Sequence, residues 1–569
     1  MRRRFSGIEG IQHLEKVVSI MSCKPEKSFL GHGLARSLAL GWIATVLPIM
    51  GAESTPLAIG SRLELLVDSY LIDHFSGTEL RPNRPVDAGT VLSFDQAWEG
   101  QYSIYATVIK DGPIYRFYYR GTQHEPDFNP DVNTCYAESR DGVHWEKPDL
   151  ELYGHTNVIL QSKTTIGVST TFTPMLDTRP GTPQTERYKA LGGGWFKPTP
   201  EYPYTGNGYW ALSSEDGIHW RKMQEKEVIT LEKNYPVPGI DTSVLPSFWS
   251  ESDRCYVAYM RTFADGGRRG GDGADYNAEA YPPPGHIHIR SVGRLTSPDY
   301  IHWSKVQMMT YGDTPPDQLY NNTTSPYFRA PHLLISLVPR IVFDRPAISP
   351  EEEKAIGVAY DQSHDAAEVV LMTSRGGNRY DRPFMDAYIR NEIGPENWTS
   401  RDHYPAVNVV PTGRNEMSFF VVDNYAQPTC HLERYALRLD RFASVHAPFR
   451  GGEFTTLPLT FTGGKLWINY STSVAGSVRV EIQDASGRPV PGFSLADSIE
   501  LFGNKIEQAV GWKSGAVAVR QKWTGDPDNR REIVSTTWEG GDDISHLAGR
   551  AIRLRFVMRA ADLYALRFR

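Results

Sequence analysis

"SRDGVHW" stands at residues 139–145, and altered copies follow as "SEDGIHW" at 214–220 and "SPDYIHW" at 297–303. A worn fourth copy, "SRGGNRY", occupies 374–380. The opening serines are Ser139, Ser214, Ser297 and Ser374, so the steps are 75, 83 and 77 residues. Each copy follows an alternating, aromatic-rich run, such as "NTCYAE" or "GYWALS", and leads into another strand-like stretch. Asp-Gly between two such runs predicts a tight hairpin turn, because glycine readily takes positive φ and the Ser and Asp oxygens can hold nearby backbone amides. The terminal Trp145, Trp220 and Trp303 suit packing between neighbouring sheets. The phrase therefore marks a structural corner and carries no chemistry of its own.

Two further strand candidates precede each copy. "SIYATVIKD" and "IYRFYYRG" precede the first, "TTFTPMLD" and "ERYKALGG" the second, and "DTSVLPSFW" and "RCYVAYMR" the third. A fifth pair, "NEMSFFVVD" and "CHLERYALRLD", has no copy of the turn. Five units of about four strands each predict an all-β fold, a five-bladed β-propeller over 60–448. The segment "LELLVDSYLI" (63–72) is expected to pair into the last blade and close the ring. From residue 449 to 569 the periodic phrase is gone, and short strands separated by glycine turns predict a β-sandwich.

Residues 1–52 read as a leader. The apolar segment "LALGWIATVLPIMGA" (38–52) follows a lightly basic stretch and ends in small residues, the order of a signal peptide cleaved near Ala52, with Met21 as an alternative start. This predicts a secreted or periplasmic protein without stable membrane insertion once the leader is removed. The 569-residue chain carries a formal net charge of −7 and no long basic tract, which argues against a nucleic-acid partner. Beyond the leader the three cysteines, Cys135, Cys255 and Cys430, are odd in number and far apart, so neither a disulfide framework nor zinc spacing can be built from them. No phosphate loop, nucleophile elbow or metalloprotease motif is present, and "HIH" at 286–288 supplies too few ligands for a metal site. Neither a cofactor nor a metal is expected.

The turn phrase, the five units and the following sandwich resemble secreted bacterial glycoside hydrolases of families 32 and 43. "LLVDSYLI" (65–72), "ERYKALGG" (186–193), "SPYFRAPH" (325–332), "MTSRGGNRYDRPFMDAYIR" (372–390) and "LRLDRFASV" (437–445) are similar to phrases of an exported set labelled glycosyl hydrolases. The resemblance implies a carbohydrate substrate bound where the inner strands converge, and three catalytic carboxylates there. The chain departs from that pattern at its first member: Tyr105 stands in "YATV" where the families carry Asp. Only Asp241 loosely matches the middle Asp.

Position then selects the other candidates, because the starts of inner strands ring one pocket and glycosidic cleavage uses a protonated and an ionised carboxyl roughly 5–10 Å apart. Asp241 is the expected nucleophile, base or charge stabiliser, and Glu416 in "TGRNEMSFF" the expected proton donor. Asp361 and Asp365 come next, and Asp68 is assigned chiefly to closing the ring. Arg329, His332, Arg375 and Arg382 are candidates for binding hydroxyls or an acidic substituent, with blade-to-blade salt bridges as the alternative. Trp249 and Trp398 are candidates for stacking on a sugar face. A sugar-binding propeller without hydrolysis, or a lyase or phosphorylase on the same scaffold, remains open; a pocket ringed by His, Tyr and Arg would favour the lyase.

Overall fold

The computed structural model describes residues 55–123, 132–165, 167–196, 206–234, 243–264, 289–315, 317–343, 345–358, 365–399, 402–524 and 532–569. Five antiparallel sheets form the blades. Blade 1 runs outward from Ile104–Asp111 through Ile114–Gly121 and Asn133–Ser139 to Val158–Gln161. Blade 2 comprises Thr173–Leu176, Tyr188–Phe196, Gly206–Ser214 and Arg221–Lys222, and blade 3 Ser247–Ser250, Cys255–Ala264, Ile289–Ser297 and Gln307–Met308. In blade 4 the inner position is shared by Gln318–Leu319 and Ser325–Tyr327, followed by Ala330–Phe343 and Asp365–Ser374. Blade 5 has Tyr404–Pro405 and Val410–Gly413 inside, then Glu416–Asp423 and His431–Arg438. Its outermost strand is Val86–Ser93, whose His431↔Ser93 to Ala436↔Val86 register closes the ring. The first strands of blades 1 and 5 bond directly, Val108 N to Val407 O at 3.1 Å and Val407 N to Ala106 O at 2.9 Å.

The repeated phrase forms the turn after the third strand of blades 1, 2 and 3. In the second copy Ser214 Oγ accepts from Gly217 N at 2.9 Å, and Asp216 Oδ1 accepts from Ile218 N and His219 N, both at 2.9 Å. His219 Nδ1 lies 2.7 Å from the other Asp216 oxygen. Gly217 has φ +80°, and a Cβ there would meet the Tyr118 hydroxyl of blade 1 at 2.6 Å, so the turn glycine is also an interblade contact. In the third copy Tyr300 takes that left-handed conformation, φ 71°, and its buried ring packs on Tyr256 and Trp303 while its hydroxyl meets Ser247 at 2.8 Å. Trp220 packs edge-on against Phe172 at 4.9 Å, as expected of the anchor.

Residues flanking the propeller enter a ten-stranded sheet built on two long antiparallel strands, Leu466–Asp484 and Ile552–Phe568. Their register shifts between Thr472 and Ser477, where Gly476 approaches the partner so closely that a Cβ would lie 2.5 Å from Ala560 O. Residues from both sides of this irregularity, including Tyr470, Val478, Phe556 and Leu563, share one apolar core. The β-sandwich expectation thus has its counterpart in an all-β C-terminal domain.

Two expectations on chain path are corrected here. Leu57–Gly60, Glu64–Leu65, Ile72–Ser76 and Glu79–Pro82 pair with strands beyond residue 442. The segment 63–72 therefore belongs to the C-terminal sheet, and Val86–Ser93, not 63–72, closes the propeller. Strand pairing bounds the blades at Val86 and Arg438, inside the expected 60–448. Among the described residues no helix is long and apolar enough to cross a membrane.

Candidate functional site

The inner strands begin at one pole of the propeller, and the second strands end there. Blade 5 brings Asp402 and His403 to the start of its inner strand and Asp423 to the end of its second strand. His403 Nδ1 lies 2.7 Å from Asp423 Oδ1. Asp402 Oδ1 accepts from the backbone amides of His403 (3.0 Å) and Asn424 (2.6 Å). Asp402 is 0% and His403 1% exposed, yet among the described residues Asp402 Oδ2 and His403 Nε2 find no hydrogen-bond partner. Two orphaned polar atoms in one buried group call for a partner from outside the described chain, such as water, an ion or a ligand. His403 (φ 58°) and Asn424 (φ 58°) also hold left-handed backbone conformations, a strain typical of sites whose geometry is fixed by function.

The electrostatics follow from burial and proximity. Burial pushes the Asp402 carboxyl up to about 6, with His403 opposing and Asp423 adding to the rise. For His403, burial pulls the imidazole down, but Asp423 and Asp402 outweigh it and push it up to about 9. The group is then an imidazolium between two carboxyls, one of them close to half-protonated at mildly acidic pH. One ligand atom from each of Asp402, His403 and Asp423 lies within 4.8 Å of the others, a donor set that also fits a small divalent cation. An exposed trio on blade 1, Asp149, Glu151 and His155, has similar spacing.

Arginines and tyrosines form a connected set at the same pole. The Arg120 guanidinium lies 4.6 Å from the Tyr105 ring centre, and its Nη2 contacts Tyr102 O at 3.3 Å and the Tyr425 hydroxyl at 3.5 Å. Arg261 from blade 3 stacks on Tyr320 at 4.2 Å and donates to its carbonyl at 2.9 Å. Tyr320, Tyr404, Tyr425 and Tyr102 form a chain of edge-to-face contacts at 5.5–5.7 Å. Tyr105, with φ 57°, opens this arrangement on blade 1. Tyr105 thus stands at the opening pole.

The sequence-derived candidates fall at different places. Asp241 and Asp361 lie outside the described residues, as do His286 and His288 and most of the 263–286 insertion. Asp365 is at the opening pole, buried, opposite Phe343 in register. Glu416 was expected to open an inner strand; it opens the second strand of blade 5, seven residues and roughly 23 Å from Asp423. There it accepts from Arg434 at 3.0 Å and Thr412 at 3.1 Å. The misplacement has a physical cause: the true inner segment contains Pro405 and Pro411 and reads as a loop, whereas a strand with a free edge toward the axis tolerates proline.

The arginine and histidine candidates are engaged by the protein itself. Arg329 pairs with Asp440 at 3.0 Å and Glu507 at 3.1 Å, and His332 lies 3.3 Å from Glu64. Arg375 bridges Glu64 (2.6 Å) and Asp68 (3.1 Å), so Asp68 ties blade 4 to the C-terminal sheet and does not close the ring. Arg382 pairs with Asp317. These ion pairs follow the alternative reading, structural bridging, and those of Arg329, His332 and Arg375 fall at the far pole, where the C-terminal domain sits. Trp249 packs edge-on against Tyr256 at 5.1 Å, while Trp398 is 39% exposed and bonds the Glu392 carbonyl at 2.9 Å. Asp402, His403 and Asp423 were missed because the rule that selects inner-strand starts was applied to the wrong strand of blade 5.

Compared with protein-family models the chain matches none, and no curated protein matches it by sequence. Among solved structures it is similar to a protein described as a glycoside hydrolase, with TM-score 0.40 and 10% identity over 62% of this chain and 92% of that one. It is also similar to a glycoside hydrolase family 43 arabinoxylan arabinofuranohydrolase from Bacillus subtilis, with TM-score 0.36 and 11% identity over 84% and 97% of the two chains. An exo-β-1,3-galactanase from Phanerochaete chrysosporium aligns with TM-score 0.34 and 9% identity, covering 85% of this chain and 100% of that one.

Proposed function

We propose that the protein is an exported carbohydrate-active enzyme that hydrolyses a glycosidic bond at the opening pole of the propeller. The observation that supports this is the buried Asp402–His403–Asp423 group, with its orphaned Asp402 oxygen and split protonation states. In this reading Asp402 is the proton donor: its carboxyl, held near 6 by burial, gives its proton to the departing sugar oxygen as the anomeric C–O bond breaks. The negative charge of Asp423 adds to that rise, and the His403 imidazolium opposes it. Asp241, which precedes the inner strand of blade 3 in the sequence, is the proposed ionised carboxylate. Water then delivers hydroxide to the anomeric carbon and a proton back to the acid. Export rests on the apolar leader segment 38–52.

A second reading is favoured by one observation, the convergence of His403 with Arg120, Arg261 and four tyrosines at the same pole. Such a set suits β-elimination from a uronate, with an arginine holding the carboxylate and a tyrosine or histidine moving the proton. One experiment separates the two. A panel of neutral and uronate-containing glycans is digested by wild type and by Asp402→Asn and His403→Gln, scoring new reducing ends and new unsaturated ends. Hydrolysis predicts reducing ends without unsaturation, and a rate about 100-fold lower or less in D402N. Unsaturated ends lost in H403Q would establish elimination instead, and a full rate in D402N would remove Asp402 from the chemistry.

A further inference from the structure

At the far pole, a cleft of about 580 Å³ opens between the first turns of blades 4 and 5, the end of His431–Arg438 and the strand Asn504–Ala509 of the C-terminal sheet. That size falls within the range of small-molecule sites, about 300–1,000 Å³. Arg414, Arg438 and Lys505 line it and are exposed. Among the described residues no carboxylate pairs with any of the three, in a protein whose formal net charge is −7. The acid in the cleft, Glu507, is already neutralised by Arg329 at 3.1 Å, Arg569 at 2.7 Å and Arg567. The rim is also preorganised: buried Arg441 donates to Asn504 Oδ1 at 2.7 Å and to Asn469 Oδ1 at 3.0 Å. Burial first, and then the neighbouring Arg438 charge, hold the Arg441 guanidinium below its ordinary value.

We propose that this interdomain cleft is an accessory binding site for an anionic glycan, taking the sulfate or carboxylate groups of a polysaccharide on Arg414, Arg438 and Lys505. Among the described residues the lining contains no aromatic ring on which the bases of a single-stranded nucleic acid would stack, whereas a charged sugar is served by cations and the amides of Asn415 and Asn504. Leu439 and Ile506 supply a small apolar floor for a ring face. Both domains contribute to the cleft, which lies at the opposite end from the opening-pole chemistry and is independent of it.

The test is a titration of the intact protein with dextran sulfate oligomers, polygalacturonate oligomers, unmodified dextran and a single-stranded oligodeoxynucleotide. Wild type should bind at least one of the two anionic glycans and not unmodified dextran, with affinity falling as salt is raised. The triple variant Arg414→Ser, Arg438→Ser, Lys505→Ser should bind roughly ten-fold more weakly or worse. A control of equal charge, Arg140→Ser, Lys226→Ser, Lys305→Ser, should stay within about two-fold of wild type. The sulfate and uronate arms identify which anion is preferred. Failure to bind either glycan, equal loss in the control, or tighter binding of the oligonucleotide than of both glycans would overturn the proposal. Thermal melts of the variants, or the milder pair Arg414→Ser, Lys505→Ser, separate loss of binding from loss of fold.

Discussion

His403 is a buried cation held in place by the two acids beside it, and its pH behaviour follows from that. Its folded value of about 9 lies above the ordinary 6.5, so the stability it contributes is complete below pH 6.5 and is lost as pH rises through 9. Thermal melts from pH 6 to pH 10 should show that alkaline decline in wild type and a flatter curve in His403→Gln. The same variant should be less stable at pH 7 by about 3–5 kcal/mol, because Asp402 and Asp423 are left buried without their cation. Asp402 behaves oppositely: its raised value means that ionising it costs stability as pH climbs from about 4 to 6. Asp402→Asn should therefore recover stability relative to wild type above pH 6, so a lost rate in that variant would report chemistry rather than unfolding. At this scale little was legible in advance. Ion pairs such as Arg375 with Glu64 and Asp68 join residues some 300 positions apart, and nothing local distinguishes such an arginine from one that binds substrate.

The turn phrase is the opposite case, because its information is local. Asp141, Asp216 and Asp299 each bond two amides and a histidine within three residues, and those bonds hold all three carboxyls well below the usual range against what burial they have. Their contribution is present above about pH 4 and fades in stronger acid. Asp216→Ala should lower stability by about 1–2 kcal/mol, seen as a shifted urea midpoint, with no change in the rate at the opening pole. The repeat exposed the blade count because the same short-range hydrogen bonds recur in three blades. Blade 5 lacks the phrase, and its inner strand carries prolines at 405 and 411, so the boundary there could not be read and Glu416 was given the wrong place.

At the scale of the whole molecule, the contact between propeller and C-terminal domain combines an apolar cluster, in which Leu65, Val67 and Ala565 join Tyr327, Leu333 and Leu437, with ion pairs. Burial alone would raise the Glu64 carboxyl, but His332, Arg375 and Arg62 hold it at about 2, so this anchor persists at neutral pH and weakens only in strong acid. Arg375→Met leaves Glu64 and Asp68 buried beside each other and should lower stability by about 3 kcal/mol or more, measured by equilibrium unfolding. The five blades were legible from periodicity, but the membership of Leu57–Pro82 in the far sheet was not. Those short strands carry no local mark of the partners they find beyond residue 442.

That pairing also bears on how the chain is made. Glu64 and Leu65 bond Leu566 and Ala565, which leave the ribosome about 500 residues later. Val86–Ser93 likewise waits for His431–Arg438 before blade 5 has its fourth strand. At 5–20 residues per second the early strands stand unpaired for roughly half a minute or more during translation. Blades 1 to 4 can assemble as they emerge, blade 5 can close once His431–Arg438 is out, and the sheet beside the ring waits for Ile552–Phe568. A chain that has emerged past residue 438 but not as far as residue 552 would therefore present a closed ring beside an unfinished sheet.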